Sequence, residues 1–294
     1  MIKTRPLYRQ GKCIPDSNTQ KLLSNTDFSL SFSNEILNSE FCDLYHSWIS
    51  STSLNSIDGL ESFPYRHFSQ GTTEAFDKWY VRHSQKRFRI WKGEYAYHKI
   101  MFKTGLRWAF LDDEPLQSDD VVIISLPFAD SGTAYRYHET LMQCEILQIP
   151  TLVDLCWFGT CYGMIFDLTY SCIEEVTFSL SKTFPISRHR IGMRYSKNQY
   201  EEDGLEAYAK DNYLNYFSQH VGIKFLQTFS PDYIPQKYRN TQTEICEELG
   251  VDVSPVVCLA IGDIRWNYLN RGGTHNRLCI SDQLHEKYTK SLEI

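Results

Sequence analysis

Three consecutive segments decide the fold expected for this chain: DDVVIISLP (119–127), YRYHETLMQCEILQ (135–148) and IPTLVDL (149–155). The first and third are short, apolar and rich in β-branched residues, which predicts buried strands. The middle segment is longer, and its pattern predicts a helix. A helix that joins two buried strands is typical of a parallel sheet, because the connection must cross one face of the sheet.

The same alternation of strands and helices covers residues 71–182, and it predicts an α/β fold with a mostly parallel sheet between helices. Ligands of such sheets bind beyond the carboxyl ends of the strands. The further segments that we interpret as helices are NSEFCDLYHSWI (38–49), GTTEAFDKWYVRHSQKR (71–87), YEEDGLEAYAKDNYLNYFSQHV (200–221) and YRNTQTEICEELG (238–250). The further predicted strands are RFRIWKG (87–93), IEEVTFSLS (173–181), SPVVCLAIG (254–262) and NRLCIS (276–281).

The composition is that of an ordinary globular protein of 294 residues with a net charge of −6 and interspersed acids and bases. We expect no general attraction to nucleic acid or to an anionic membrane. The nine cysteines are scattered and mostly lie in apolar segments, which indicates free thiols in a reducing compartment. No metal site is expected. Neither a signal peptide nor a membrane span is evident, so we expect a cytoplasmic protein.

The most informative motif is SLSKTFPISRHRIG (179–192), which follows a predicted strand. An amine can form an imine with an aldehyde, while nearby hydroxyls and a guanidinium hold a phosphate. The motif resembles the lysine signature of the fold-type I pyridoxal-phosphate (PLP) enzymes of the class I/II aminotransferase family. That signature has serines three and one positions before the lysine, an arginine eight after it, and a glycine two further on. The matching residues are Ser179, Ser181, Lys182, Arg190 and Gly192.

The resemblance implies that Lys182 holds the cofactor, pyridoxal 5′-phosphate, as a Schiff base. Ser179, Ser181 and Arg190 would hold its phosphate group. The family's glycine between the lysine and the arginine is missing here. A surface loop with ordinary basic residues is the alternative interpretation of the motif by itself.

A carboxylate in the apolar segment TLVDLCW (151–157) is costly to bury without a cationic partner. The family resemblance gives Asp154 such a partner, the protonated ring nitrogen of the cofactor. The alternative is a strand-end cap or an ion-pair residue. Two residues depart from the family pattern. Trp157 stands where many relatives have a tyrosine, and Ala129 stands where they have an asparagine, so both usual contacts to the ring oxygen are altered.

Three further sites match the family in order along the chain. Gly71, Thr72 and Thr73 open a predicted helix and resemble the early phosphate loop, although a simple helix N-cap has the same pattern. Tyr95, with Tyr97 as the alternate, would stack on the cofactor ring, unless this aromatic pair packs in the core. Arg277 would bind the substrate α-carboxylate, the alternative being a strand arginine that faces solvent.

The resemblance predicts a PLP-binding large domain over residues 60–200. Residues 1–59 and 201–294 would form a reduced α+β small domain and an N-terminal segment. The activity implied is amino-group transfer between an amino acid and a 2-oxo acid, with Lys182 and Asp154 as the catalytic residues. A PLP-dependent lyase or decarboxylase is the alternative, as is a degenerate homologue without activity. The resemblance also implies a homodimer.

Overall fold

The computed structural model describes residues 7–27, 29, 37–200 and 203–292. The strands, in chain order, are β1 (Ser56–Asp58), β2 (Tyr65–Ser69), β3 (Arg87–Ile90), β4 (Trp108–Phe110), β5 (Asp120–Ser125), β6 (Thr151–Leu155), β7 (Ile165–Asp167), β8 (Ile173–Ser179), β9 (Gly192–Ser196), β10 (Asp252–Val253), β11 (Leu259–Gly262) and β12 (Asn276–Cys279). The α-helices are α1 (Ser17–Ser24), α2 (Asn38–Ser50), α3 (Thr72–Arg82), α4 (Ala96–Phe102), α5 (Tyr137–Leu147), α6 (Gly204–Lys210), α7 (Tyr216–Thr228), α8 (Tyr233–Leu249) and α9 (Ser281–Ser291).

The main sheet has, in the described part of the chain, seven strands in the order β2-β9-β8-β6-β5-β3-β4. Its pairs are parallel except those of β9, which runs antiparallel to both β2 and β8. Helices cover both faces of the sheet. The prediction of an α/β fold with a mostly parallel sheet between helices is therefore confirmed.

Strand β5 explains why the sheet needs cover on both faces. All six of its residues are buried, and successive side chains enter different cores. Val122 and Ile124 belong to the larger hydrophobic core, whereas Val121 and Ile123 pack in a second core with Phe76 of α3. Successive strand residues point to opposite faces, so a continuous run of Val and Ile is stable only between two covering layers.

A smaller antiparallel sheet, β10-β11-β12, lies in the C-terminal part of the chain. Helices α8 and α9 pack against each other beside it. The predicted division at residues 60 and 200 stays a prediction, although an α+β arrangement does occur after residue 200. Among the described residues, no helix has the length and apolar character needed to cross a membrane.

Candidate active site

The carboxyl ends of β5, β6 and β8 form the edge of the sheet at which the predicted site residues lie. Ser125, Asp154 and Thr177 are neighbours across these strands, so their side chains share one face. Ser179 ends β8, and its register partner Gly192 begins β9. This is the edge at which sheets of this class bind ligands.

The N-terminus of α3 meets Arg190 at this edge. Arg190 Nη2 donates a hydrogen bond to Thr73 Oγ1 (3.0 Å). Gly71 precedes the helix with a φ of 75°, and a Cβ atom at this position would lie 2.4 Å from Arg190 Nη2. Only glycine therefore allows the guanidinium to lie against the helix start. The result is a cradle made of backbone N–H groups at the helix start, a hydroxyl and a guanidinium, which is a set of donors that can bind an anion. Thr72 is buried beside them.

Two serine hydroxyls lie next to this cradle. Ser179 Oγ and Ser181 Oγ are 2.9 Å apart, and Ser179 Oγ also donates to the carbonyl of Ile191 (3.1 Å). A Cβ atom on Gly192 would lie 2.8 Å from Gly71 Cα, so the start of β9 contacts the start of α3 directly. The structure thus brings the two predicted phosphate-binding segments together.

Lys182 is half-buried next to the serines. Its Nζ donates to the backbone carbonyl of Gly11 (2.9 Å) and lies 5.1 Å from the centre of the Trp157 ring. Trp157 is buried and lies directly beneath Gly11. In the described chain no carboxylate forms an ion pair with this ammonium group, so its only strong acceptor here is a neutral carbonyl.

Asp154 is 1% exposed and accepts hydrogen bonds from Cys156 N (3.0 Å) and Thr177 Oγ1 (3.5 Å). Burial, and secondly the charge of Glu94, raise the pKa of this carboxyl from 3.8 to about 7, although Lys182 acts in the opposite direction. Among the described residues no cation forms an ion pair with Asp154. A cationic ligand group beside it would restore the ionised form.

Glu94 is a buried site residue that the sequence interpretation missed. It is 3% exposed and accepts from Ser125 N (2.8 Å), Ser125 Oγ (2.7 Å) and Tyr95 N (3.0 Å). Burial raises its pKa above the ordinary value. A glutamate in a polar-looking loop gives no sequence signal of this kind, because only the folded sheet places Ser125 beneath it.

Of the two tyrosines considered for the cofactor ring, Tyr95 faces the site. Burial is the first cause that raises its pKa, and the charges of Cys156 and Asp154 add to it, whereas Arg190 and Arg271 lower it. Tyr97 instead donates to Asp77 on α3 (2.7 Å). The two rings are stacked with their centres 6.1 Å apart, so Tyr97 supports Tyr95 from behind.

Arg277 is buried on β12 at 3% exposure, so the solvent-facing alternative is wrong. Its Nη1 donates to the carbonyl of Ala129, and its Nη2 donates to the carbonyl of Arg9 (3.0 Å). The sequence interpretation missed Arg271, whose Nη1 also donates to Ala129 O (2.9 Å) and to Gly93 O (3.3 Å). Ala129 therefore contributes its backbone carbonyl to the site.

Residues 8–12, which we call the N-terminal segment, cross the mouth of the site. Tyr8 forms an antiparallel bridge to Cys279 of β12. From there the segment supplies one carbonyl to Arg277 and another to Lys182. Among the described residues no group of three or more His, Cys, Asp or Glu side chains could hold a metal ion.

No protein-family model matches the sequence, and neither does any curated protein. Solved structures do match. The histidinol-phosphate aminotransferase from Clostridium acetobutylicum is 18% identical with a TM-score of 0.62, over 98% of this chain and 97% of that chain. The tyrosine aminotransferase from Leishmania infantum is 11% identical with a TM-score of 0.64, over 95% and 90%. A PLP-bound C-S lyase from Staphylococcus hominis is 12% identical with a TM-score of 0.61, over 98% and 90%.

The chain therefore has the fold of these aminotransferases and of this lyase, which confirms the resemblance at the level of the fold. The roles of the site residues stay predictions. Their geometry fits the cofactor that the resemblance implies, because a phosphate cradle, an amine and a buried carboxyl lie at one edge of the sheet.

Proposed function

We propose that the chain binds pyridoxal 5′-phosphate and uses it to transfer an amino group between an amino acid and a 2-oxo acid. The observation that carries the proposal is Asp154, a carboxyl group buried at 1% exposure without an ionic partner in the described chain. A group of this kind is costly unless a ligand compensates it. The ring nitrogen of the cofactor is the cation that fits beside it.

Each residue at the edge has a distinct task in this proposal. Gly71, Thr73, Ser179, Ser181 and Arg190 bind the phosphate, Arg190 through its fork of N–H donors. Asp154 would hold the protonated ring nitrogen, and Tyr95 would pack against the ring. When bound, the cofactor supplies an electron-withdrawing ring that stabilises negative charge at the substrate α-carbon.

Lys182 has two tasks, and both need a neutral amine. Its Nζ would hold the cofactor covalently when no substrate is bound, and once free it would accept the α-proton of the substrate and donate it back. For either task the amine must leave the Gly11 carbonyl to which it now donates. Arg277 holds the substrate carboxylate so that the α-C–H bond points towards Nζ.

The test is the visible absorption spectrum of the purified protein with added pyridoxal phosphate. The wild type should develop the band of lysine-bound cofactor, Lys182→Ala should not, and the exposed control Lys103→Ala should behave like the wild type. Absence of the band in the wild type would refute the proposal and favour a non-catalytic homologue.

A second candidate is a PLP-dependent lyase, which the likeness to the C-S lyase supports. A panel of amino acids separates the two reactions. A lasting change to the aminated cofactor indicates transfer, whereas return of the starting spectrum with release of a leaving group or carbon dioxide indicates a lyase or decarboxylase. We also propose a cytoplasmic homodimer, which light scattering of the purified protein tests for its oligomeric state.

A further inference from the structure

Two arginines meet at one backbone oxygen beside the proposed cofactor site. Arg271 and Arg277 both donate to the carbonyl of Ala129. Arg271 comes from the loop before β12 and Arg277 from the strand itself. The shared acceptor holds the two guanidinium groups close together, although their like charges repel each other.

The pair has no ionic partner within the described chain. Burial and the charge of Arg271 lower the pKa of Arg277 from 12.5 to about 10. Two carboxylates lie nearby but form no hydrogen bond with either guanidinium in the described chain. Glu94 accepts from Ser125 and Tyr95. Asp130 Oδ2 accepts from His275 N (3.0 Å), while its buried Oδ1 has no partner among the described residues. The charge of Asp130 acts on both arginines, and the charge of Glu94 acts on Arg271. Two guanidiniums that share one neutral carbonyl and form no direct ion pair within the described chain can bind a further anion.

Donor groups remain available on both side chains. Arg277 Nε is buried and has no hydrogen-bond acceptor among the described residues. The Nε and Nη2 of Arg271 likewise donate to no described acceptor. Within the described ranges, the acceptor of Arg277 Nη2 is the carbonyl of Arg9 on the N-terminal segment. Exchanging this neutral oxygen for a carboxylate oxygen strengthens the hydrogen bond.

The position of Arg271 also links the pair to the ring site. Arg271 Nη1 bridges the carbonyls of Gly93 and Ala129, which belong to the loops that follow the neighbouring strands β3 and β5. The first of these loops continues directly into Glu94 and Tyr95. An anion bound between the two arginines would therefore lie near Tyr95 and the proposed position of the cofactor ring.

We propose that Arg271 is a second substrate-binding arginine, which holds the carboxylate of the amino acid or 2-oxo acid together with Arg277. The inference rests on the proposed function and deepens it, since it assigns the carboxylate to a pair of guanidiniums rather than to Arg277 alone. A substrate without a carboxylate, such as a simple amine, is excluded from this site.

The experiment measures, by calorimetry, the equilibrium binding of pyruvate and 2-oxoglutarate to the cofactor-loaded protein. Each is compared with the analogue in which the carboxylate next to the keto group is replaced by a carboxamide. Arg271→Gln should weaken carboxylate binding about tenfold or more while amide binding stays unchanged. Arg271→Lys, which keeps the charge but loses the fork, should restore part of the affinity. The matched control is Arg265→Gln, an exposed arginine in the preceding helical turn that pairs with Asp263.

Three results would overturn the inference: unchanged carboxylate affinity in Arg271→Gln, an equal loss for the amides, or no carboxylate binding by the wild type. An equal loss for the amides would mean that Arg271 only shapes its loop. The cofactor band is recorded on the same samples. A missing band in the wild type defeats the proposed function, whereas a normal band with no effect of Arg271 defeats this inference alone.

Discussion

Asp154 links the stability of the cofactor-free protein to the proposed binding of the cofactor. Its pKa of about 7 in the folded chain lies above the ordinary value of 3.8 that it has in an unfolded chain. Between these two values the folded state binds more protons than the unfolded state. Stability of the cofactor-free protein therefore falls as the pH rises from about 4 to 7, since the carboxyl must then ionise while it is buried.

Asp154→Asn should remove this penalty. We expect the cofactor-free variant to be more stable than the wild type at pH 8, by an amount on the order of a few kcal/mol, and to lose the advantage near pH 4. Urea unfolding at both pH values measures it. Asp58→Asn changes an exposed carboxylate and is the control. A destabilised Asp154→Asn variant at pH 8 would show that the carboxylate is already compensated.

The cradle depends on the absence of a Cβ atom at Gly71, which a substitution can test. In Gly71→Ala the new Cβ would displace Arg190, so we expect weaker binding of pyridoxal phosphate together with about 1 kcal/mol or more of backbone strain. Gly163→Ala is a matched control: Gly163 has a φ of 72°, close to the 75° of Gly71, but nothing lies within 4 Å of its Cβ position. Equal cofactor affinity of the two variants would disprove the contact.

At the residue scale the sequence motifs named most of the residues that the structure brings together in the cradle, because these motifs are local patterns. The sequence did not predict Glu94 and Arg271 as site residues, and the reason is the same for both. Each is a charged residue in a loop, and nothing in such a loop shows that the chain folds back to bury the side chain. Ser125, the partner of Glu94, lies 31 residues later in the chain, and Ala129, the partner of Arg271, lies 142 residues earlier.

The elements around the site are joined by a buried charge network. Arg82 of α3 pairs with Glu175 of β8 and with Asp203, which caps α6. Arg194 of β9 pairs with the same Asp203 (2.5 Å) and with Glu206 of α6 (3.3 Å). Arg194 is fully buried, so these charges fix α6 against the antiparallel edge of the sheet.

Arg194→Met should leave these carboxylates buried without half of their cationic partners. We expect a loss of about 3–5 kcal/mol in the free energy of unfolding, measured with urea. Arg107→Met removes an exposed pair with Asp119 and should cost at most about 1 kcal/mol. Similar values for both variants would mean that Arg194 is better solvated than its burial indicates.

The element boundaries show where sequence patterns suffice. The predicted strands at β5, β6 and β8 were recovered because these short segments are rich in β-branched and aromatic residues. The helical pattern over residues 200–221, of which 201 and 202 lie outside the described residues, corresponds to two helices. α6 ends before Asn212, whose φ is 51°, and Asn215 Oδ1 caps α7 by accepting from Ser218 N. Strands β2 and β9 were missed because their short, polar sequences become strands only through pairing with each other and with β8.

Across the whole molecule, the nine cysteines are free thiols, seven of them buried and two half-buried. Burial raises the pKa of half-buried Cys13 to about 11 and the pKa of Cys156 well above its ordinary value. Because thiolate is the reactive form, the folded protein should react slowly with a disulfide reagent at pH 8, and all nine thiols should react in denaturant. Several fast thiols in the native state would contradict this burial.

The partners of the N-terminal segment lie far along the chain, so its contacts form late in synthesis. Its carbonyls at Gly11 and Arg9 bond to side chains 171 and 268 residues later in the chain. While a ribosome is still adding residues, a nascent chain that has released residues 60–200 can already form the main sheet and the phosphate cradle. It has neither Arg271 nor Arg277 at that time. In the proposed roles, the groups for the phosphate are therefore complete earlier in translation than the groups for the carboxylate, and the carbonyl of Arg9 meets Arg277 only after residue 277 is made.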